Sequence, residues 1–288
     1  MRGLHGLSIL AGALALLGMD VVSGQSGILF PSSRGDGDPM QAGMLPLAGG
    51  RLATIAVVGS DPGRAILQSG TEVTLLGHDP VTRLTVLNSP ENTVRPVLGS
   101  ALKLEQGEAV YLPGQKRASR VVRWEYTFRG KVLPVALIRI HHPFETSPVP
   151  GTPLTNGKGE VVALCHEAAP EFGNGTYALP VEAVDRMEHD LKAFGRVSPC
   201  WIGITVNSAN PVLAIEMVRP GSPGAVAGVR KGDILLSVGP RRTSSYAEAR
   251  DAFYYLVAGQ GTTLGLLRGT KLVELTVIPE VHPAYAQE

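Results

Sequence analysis

Short runs of β-branched and apolar residues, each closed by a cluster of turn-forming residues, recur along the first two thirds of this chain. The runs are Leu52–Val58, Glu72–Leu76, Leu84–Leu87, Ala109–Leu112, Val132–Ile140 and Val161–Leu164. Groups such as Gly59–Gly63 and Thr146–Pro153 separate them, and the 288 residues include 35 Gly and 22 Pro. Many short strands at close spacing are typical of a sandwich or a barrel, so we expect a mainly β fold.

One longer segment, Val181–Phe194, carries a different pattern. Its apolar residues recur at helical spacing, it follows Pro180, and it ends at Gly195. That spacing and those boundaries predict an amphipathic helix that packs on the β core. The next residues, GRVSP, are typical of a linker, so we expect a domain boundary between residues 196 and 197.

The unit after the linker mixes short strands with two helical segments. The predicted strands are Trp201–Val206, Leu213–Val218, Ile234–Val238, Thr263–Leu267 and Leu272–Ile278. Gly221–Val229 predicts a turn with a short helix, and Ser245 with Glu248 matches the capping box that opens a second helix. We therefore expect a small α+β domain over residues 197–282, followed by a short tail, residues 283–288.

The charge balance excludes one class of partner. Lys and Arg together number 26 and Asp and Glu 25, which leaves a net charge of +1 and no dense basic run. Nucleic-acid binding depends on a concentrated cationic face, so we expect no nucleic-acid partner. The chain shows no motif for a bound cofactor, and we expect none.

The first 24 residues differ from the rest. Arg2 precedes the apolar stretch Leu7–Val22, and Val22–Gly24 supply small residues for a cleavage site. This pattern predicts a signal peptide over residues 1–24 and a mature protein exported to the periplasm or the extracellular space. An uncleaved membrane anchor is the alternative, disfavoured by the short stretch and by Asp20. No later run is apolar enough to cross a bilayer, so we expect no stable membrane span after cleavage.

The chain has two cysteines, Cys165 and Cys200. An even count in an exported protein leaves two outcomes open, a disulfide between them or two buried free thiols. A metal site formed by Cys165, His166 and Cys200 is disfavoured, because no paired-ligand spacing such as CxxC is present. We expect no metal.

Three motifs stand in a fixed order in the second unit. They are Trp201–Ile204 (WIGI), Val218–Gly228 (VRPGSPGAVAG) and Lys231–Leu235 (KGDIL). Together with the helix after Ser245, they closely resemble the PDZ domain of the bacterial HtrA-type serine proteases. The resemblance implies a domain that binds an extended peptide C-terminus as an added strand.

The first unit resembles the protease domain of the same family more faintly. Tyr177–Pro180 is similar to the F-A-I-P segment near the end of that domain, Gly77–Pro80 to the stretch before the catalytic Asp, and Gly151–Leu164 to the strand pair after the nucleophile. The resemblance implies a chymotrypsin-like double β-barrel over residues 25–196, and hence a mainly β protein with a small α+β PDZ domain. HtrA-type proteases commonly form trimers, which leaves a homo-oligomer open for this chain.

Alignment of the family's triad motifs leaves no catalytic side chain in place. The pattern around the catalytic His falls on Leu52–Val58 and puts Ala56 at the His position. The pattern around the catalytic Asp puts Arg83 at the Asp position. The P-G-N-S-G-G-P-L pattern falls on Ser147–Leu154, so that Pro150 takes the place of the nucleophile.

The aligned oxyanion hole is equally altered. In this fold it consists of the backbone N–H groups of the nucleophile and of the residue two before it. Those positions are Pro150 and Pro148, and proline has no N–H. The loss of one such donor costs about 2.7–4 kcal/mol of transition-state stabilisation. We therefore expect a pseudo-protease and no enzyme: a non-catalytic adaptor, scaffold or holdase that captures peptide C-termini or misfolded envelope proteins.

A serine endopeptidase of protein quality control, with a relocated or misaligned active site, is the alternative. The residues available to such a site are Ser89, Ser147, His78, His141, His142 and Asp79. Ser147 lacks the flanking motif of a nucleophile, and adjacent strand residues such as His141 and His142 face opposite ways. Labelling by a fluorophosphonate probe distinguishes the two hypotheses.

The resemblance also assigns the peptide groove residue by residue. The expected groove residues are Trp201, Ile202, Gly203 and Ile204 in the carboxylate loop, and Ala249, Phe253 and Leu256 in the helix wall. Gly203 lets the backbone approach a carboxylate closely, and the apolar side chains form a pocket for the last residue. The expected ligand is therefore a free peptide C-terminus with an apolar last side chain.

Overall fold

The computed structural model describes residues 25–31, 40–56, 62–91, 94–128, 130–145, 147–169, 171, 173–208 and 212–285. The predicted signal peptide, residues 1–24, lies outside the described residues. No helix within these ranges is long and apolar enough to cross a bilayer.

The first six strands close into an antiparallel barrel in the order β1-β2-β3-β6-β5-β4. They are β1 (Gln25–Pro31), β2 (Met40–Leu47), β3 (Arg51–Ile55), β4 (Pro62–Leu67), β5 (Glu72–His78) and β6 (Leu84–Asn88). The barrel interior is filled by apolar side chains such as Met44, Leu52 and Leu87, all fully buried. Burial of such side chains is the main source of stability for a small barrel.

The next six strands form a second antiparallel sheet in the order β10-β11-β12-β9-β8-β7. They are β7 (Ala109–Val110), β8 (Ser119–Phe128), β9 (Lys131–His141), β10 (Pro153–Thr155), β11 (Val161–Ala168) and β12 (Gly175–Pro180). Tyr111 and Thr155 exchange backbone N–H···O bonds of 2.8 and 2.9 Å, which joins the two edges of this sheet. The chain therefore forms a double β-barrel, as the resemblance implied.

Helix α1 (Glu182–Phe194) follows the second barrel and ends at Gly195, whose φ of 69° makes a left-handed cap. Val184 and Met187 are buried against the core, as their spacing predicts, while Phe194 at the last turn is 39% exposed. The Glu182 carboxylate in the first turn accepts hydrogen bonds from the Ser100 hydroxyl and from the Ala101 N–H. This bond attaches the 3₁₀ turn Ala101–Lys103 to the helix.

The described residues of the C-terminal unit form eight short strands and two helices. They are β13 (Cys200–Trp201), β14 (Ile204–Val206), β15 (Ile215–Val218), α2 (Pro223–Val226), β16 (Ile234–Val238), β17 (Arg241–Arg242), α3 (Tyr246–Tyr254), β18 (Thr262–Arg268), β19 (Lys271–Val277) and β20 (Glu280–Val281). The order β17-β16-β18-β19 forms one sheet, and β13–β20 and β14–β15 form two strand pairs. Helix α3 begins with the predicted capping box between Ser245 and Glu248.

Helix α3 docks the C-terminal unit on the double barrel. The Asp251 carboxylate accepts the backbone N–H of Ala136 in β9 at 2.8 Å and pairs with the Arg241 guanidinium at 2.7 Å. One turn later, the Tyr254 hydroxyl donates to the Asp79 carboxylate at 2.6 Å. Burial raises the pKa of the Tyr254 hydroxyl, so it stays protonated and keeps donating. These contacts fix the position of α3 relative to the barrels.

The two cysteines belong to different cores, which corrects the disulfide alternative. Cys165 lies in β11 within the second barrel, 1% exposed, and burial raises the pKa of its thiol to about 12. Cys200 packs against the core of the C-terminal unit, and its thiol contacts the Ser198 carbonyl at 3.6 Å. Both thiols are free.

Candidate functional site

The predicted carboxylate loop lies between two short strands. Trp201 ends β13, Ile204 begins β14, and Ile202 and Gly203 form the loop between them. The Ile202 carbonyl accepts the Gly224 N–H, and the Gly203 carbonyl accepts the Arg219 N–H, each at 2.8 Å. The loop is thus held by its carbonyl groups to the segment that enters α2.

Glycine is required at the turn of this loop. Gly203 has a φ of 74°, in the left-handed region that L-residues with a Cβ rarely adopt. A Cβ added to Gly203 would lie 2.2 Å from the Ser222 Cβ. The turn therefore combines an unusual backbone conformation with a close contact to the start of α2.

The loop presents unpaired backbone donors. Within the described residues, the N–H groups of Ile202 and Gly203 donate no hydrogen bond, whereas their carbonyls are both bonded. Adjacent N–H groups of this kind form a concave site for an anion. The geometry suits the carboxylate of a peptide C-terminus.

A cavity of about 270 Å³ opens beside the loop. Its walls are formed by Cys200, Trp201, Ile202, Gly203, Ile204, Phe253, Leu256 and His282. Six of the seven residues predicted for the groove are brought together here. The seventh, Ala249, is 2% exposed and packs in the core beneath α3 instead of lining the cavity.

Sequence reasoning missed His282 as a groove residue. It follows β20, which pairs with β13 in the register Cys200↔Val281 and Trp201↔Glu280. The His282 ring meets the Trp201 ring edge-on, with centroids 5.7 Å apart. A two-residue strand carries no recognisable pattern, so only the pairing reveals this wall of the cavity.

The three positions aligned with the catalytic triad surround the end of β3. The buried Ala56 donates its N–H to the Arg83 carbonyl at 2.9 Å. Arg83 has a φ of 60° and pairs with the Glu167 carboxylate at 3.5 Å. The Pro150 carbonyl accepts the Gly43 N–H at 2.8 Å from the neighbouring strand β2.

The backbone donors beside Pro150 are already bonded. The Gly151 N–H donates to the Cys165 carbonyl at 2.7 Å, and the Thr152 N–H donates to the Val149 carbonyl at 3.2 Å. Pro148 and Pro150 have no N–H to contribute. In this conformation the loop offers a substrate carbonyl none of these donors.

Several hydroxyl and imidazole groups remain near the barrels. The His142 imidazole contacts the Ser119 and Thr176 hydroxyls, each at 2.8 Å, and is 1% exposed. Burial, with a smaller contribution from the charge of His141, lowers the pKa of His142 to about 4. This imidazole is therefore neutral at pH 7 but sealed from solvent.

The other candidates from the sequence lie apart. Ser147 is exposed and makes no hydrogen bond within the described chain. The Ser89 hydroxyl accepts the Glu91 N–H, and the His78 Nδ1 contacts the Thr85 hydroxyl at 2.9 Å. Among the residues that the structure describes, Ser147 and a histidine do not form a hydrogen-bonded pair.

The comparisons with known sequences match this chain to a PDZ domain and to serine proteases. The PDZ domain family model matches residues 200–278. A DegP-like periplasmic serine endoprotease of Pseudomonas putida is 26% identical over 234 residues, 73% of this chain and 48% of the relative. The serine protease HhoA of Synechocystis is 26% identical over 44% of this chain and 37% of its own length. The chain thus spans about half or less of the length of these curated relatives.

A solved structure supports the fold over nearly the whole chain. The HtrA-type protease AlgW, solved with a tripeptide, has a TM-score of 0.58 and 18% sequence identity. The likeness covers 91% of this chain and 95% of that one. At this identity the similarity concerns the architecture.

The similarity to these relatives contradicts the prediction that the chain is a pseudo-protease and therefore not an enzyme. The DegP-like relative and HhoA are named serine proteases, and no comparison shows a loss of catalysis in this chain. The prediction was wrong because it inferred inactivity from three aligned positions, while the relation to proteases extends over most of the chain. The chain therefore has a PDZ domain over residues 200–278 after a double β-barrel domain, and it is similar over most of its length to DegP-like serine endoproteases.

Proposed function

We propose that this protein works in the periplasm and captures the free C-termini of peptides and misfolded envelope proteins in its PDZ groove. The observation that carries this proposal is the pair of unpaired N–H groups at Ile202 and Gly203 beside an apolar cavity. The location is supported by the DegP-like relative, which is named periplasmic. The tripeptide bound to AlgW supports a peptide as the ligand.

The groove has the parts that such a ligand needs. The loop donors meet the terminal carboxylate, and the cavity beside Phe253 and Leu256 accepts an apolar last side chain. The edge of β14 that faces α3 receives the peptide backbone as an added strand. A single module of this kind binds with a micromolar dissociation constant, about −8 kcal/mol.

The test uses one labelled peptide in two forms. A peptide that ends in valine is titrated with the full chain by fluorescence anisotropy, once as the free acid and once as the C-terminal amide. We expect the amide to bind at least tenfold more weakly, because it loses the charge that the loop donors meet. A peptide ending in aspartate serves as the control for the apolar pocket. Equal binding of free acid and amide contradicts the proposal.

A second function, serine endopeptidase activity on captured proteins, is favoured by the names of the relatives. Because Ala56, Arg83 and Pro150 stand at the aligned triad positions, we propose that the nucleophile lies elsewhere. Ser147 is the first hydroxyl to test, since it is exposed and three residues before Pro150. A loop rearrangement that frees the Gly151 N–H would then have to accompany substrate binding.

This activity is tested with a fluorophosphonate probe and an unfolded casein substrate. We expect labelling of one serine, located by peptide mapping, and turnover that Ser147→Ala abolishes. Ser89→Ala is the matched control, because that hydroxyl is largely buried and should leave turnover unchanged. Absence of both labelling and casein turnover contradicts the endopeptidase proposal and leaves peptide capture standing.

A further inference from the structure

The segment after β19 returns to the carboxylate loop and closes one side of it. Strand β20 pairs with β13, and the His282 N–H donates to the Pro199 carbonyl at 2.7 Å. The 3₁₀ turn Pro283–Tyr285 follows, and the Arg196 guanidinium donates to the Tyr285 carbonyl at 2.5 Å. Backbone bonds therefore hold His282 beside the loop, independently of its own side chain.

A hydrogen bond fixes the proton on the His282 ring. The Ala284 N–H donates to the His282 Nδ1 at 3.2 Å, so Nδ1 must be the acceptor. In the neutral imidazole the proton then lies on Nε2, which becomes a donor. Within the described residues this Nε2 has no hydrogen-bond partner, although the ring lines the cavity beside the loop.

We propose that His282 is a specificity-determining residue of the groove, whose Nε2–H donates to the terminal carboxylate of the bound peptide. The inference rests on the proposed capture of free C-termini and adds a side-chain donor to the backbone donors of Ile202 and Gly203. The charged terminal carboxylate accepts a stronger hydrogen bond from this group than the carbonyl of an amide or of an internal peptide segment does.

The experiment repeats the valine-terminated peptide titration at pH 7.5, as free acid and as amide, with the full chain and two variants. His282→Gln keeps a neutral side-chain donor and should retain most of the free-acid affinity. His282→Phe keeps a ring against Trp201 but has no donor, so it should bind the free acid several-fold more weakly and lose much less affinity for the amide.

Two controls separate this proposal from the others. His141→Gln removes an exposed histidine of β9 and should bind the free acid as the unaltered chain does. Circular dichroism checks that each variant is folded. A preference for the free acid that is unchanged in His282→Phe overturns the role of His282 and leaves capture standing. Absence of any preference for the free acid overturns both.

Discussion

Two loops of this molecule align with loops whose backbone N–H groups bind an oxygen anion in the HtrA-type proteases that the chain resembles. The two loops differ in the hydrogen bonds that their N–H groups make. In the PDZ loop the N–H groups of Ile202 and Gly203 are unpaired, and the carbonyls carry the hydrogen bonds. In the barrel loop, Pro148 and Pro150 have no N–H, and the Gly151 N–H is bonded to Cys165. The first loop therefore presents two free N–H groups, whereas in the second loop the corresponding N–H groups are absent or already bonded.

A glycine with little space around it occupies each of the two loops, but its surroundings differ. Gly203 and Gly151 both have a positive φ, 74° and 83°, and both lack room for a Cβ. At Gly203 the neighbour is the buried Ser222 side chain, at the start of α2. At Gly151 the neighbours are the Gly43 carbonyl and the Thr54 hydroxyl, inside the contact between the barrels. Substitution should therefore affect binding in one loop and stability in the other.

The largest effect is expected for Gly151→Ala. The new Cβ would lie 2.1 Å from the Gly43 carbonyl oxygen, and the backbone would stay in a region unfavourable for alanine. We expect the free energy of unfolding to fall by about 2–5 kcal/mol, measured by urea denaturation. Gly114→Ala, with a φ of 71° and no atom within 4 Å, should cost only about 1–2 kcal/mol. Equal losses would show that the close contact is unimportant.

The next effect concerns His142 of the second barrel. Its pKa is lowered by burial to about 4, so the unfolded chain binds a proton that the folded chain excludes between pH 6.5 and pH 4. Stability is therefore lost as the pH falls, by about 2–3 kcal/mol between pH 7 and pH 4.5. We expect His142→Gln to lose less stability over this range, and the exposed His141→Gln to behave as the parent chain does. Parallel curves for both variants would contradict the assignment.

A smaller effect, on binding alone, is expected for Gly203→Ala. The added Cβ meets the Ser222 Cβ, so the loop must shift and its unpaired donors move with it. We expect peptide affinity to fall about 10–100-fold, which corresponds to about 1.4–2.7 kcal/mol. Gly221→Ala has nearly the same φ, 73°, but open space around it, and should bind within about threefold of the parent. If both variants lose the same affinity, the loss is caused by backbone strain and not by the contact with Ser222.

The smallest effect is expected for Pro150→Ala. The Pro150 carbonyl keeps its bond from the Gly43 N–H, since the bond involves only backbone atoms. The substitution mainly adds freedom to the unfolded chain, so unfolding should become easier by less than about 1 kcal/mol. Thermal denaturation measures this change. A loss as large as that of Gly151→Ala would mean that the proline ring itself shapes the loop.

The barrel strands were only partly predictable from the sequence. Most runs of β-branched residues became strands, because a buried face requires them. Strand β4 begins at Pro62, inside a cluster typical of a turn, and is set by its pairing with β1. Strand β8 alternates charged residues such as Arg123 and Glu125 with half-buried ones, and its partner β9 fixes it. Strand β4 thus depends on a partner distant in the sequence, and β8 depends on the next strand of its own hairpin.

The residues of the peptide groove were also only partly predictable from the sequence. The loop Trp201–Ile204 was predictable because its motif is local and depends on one glycine conformation. His282 was not, since it reaches the cavity through a strand pair formed by residues about eighty positions apart in the chain. Asp251 and Tyr254 were also missed, because polar side chains on a helix ordinarily indicate a solvated face. Here they bond to Ala136 and Asp79 of the barrel domain.

The pairing of β20 with β13 has a practical consequence for anyone who isolates the PDZ domain. The family match ends at residue 278, before Glu280–Val281 and His282. A fragment cut at that boundary would retain the loop glycine but lose the strand beside Trp201 and one wall of the cavity. Peptide preferences selected with such a fragment would describe an incomplete groove. A fragment intended for selection should extend at least to Tyr285, whose carbonyl holds the returning segment to Arg196.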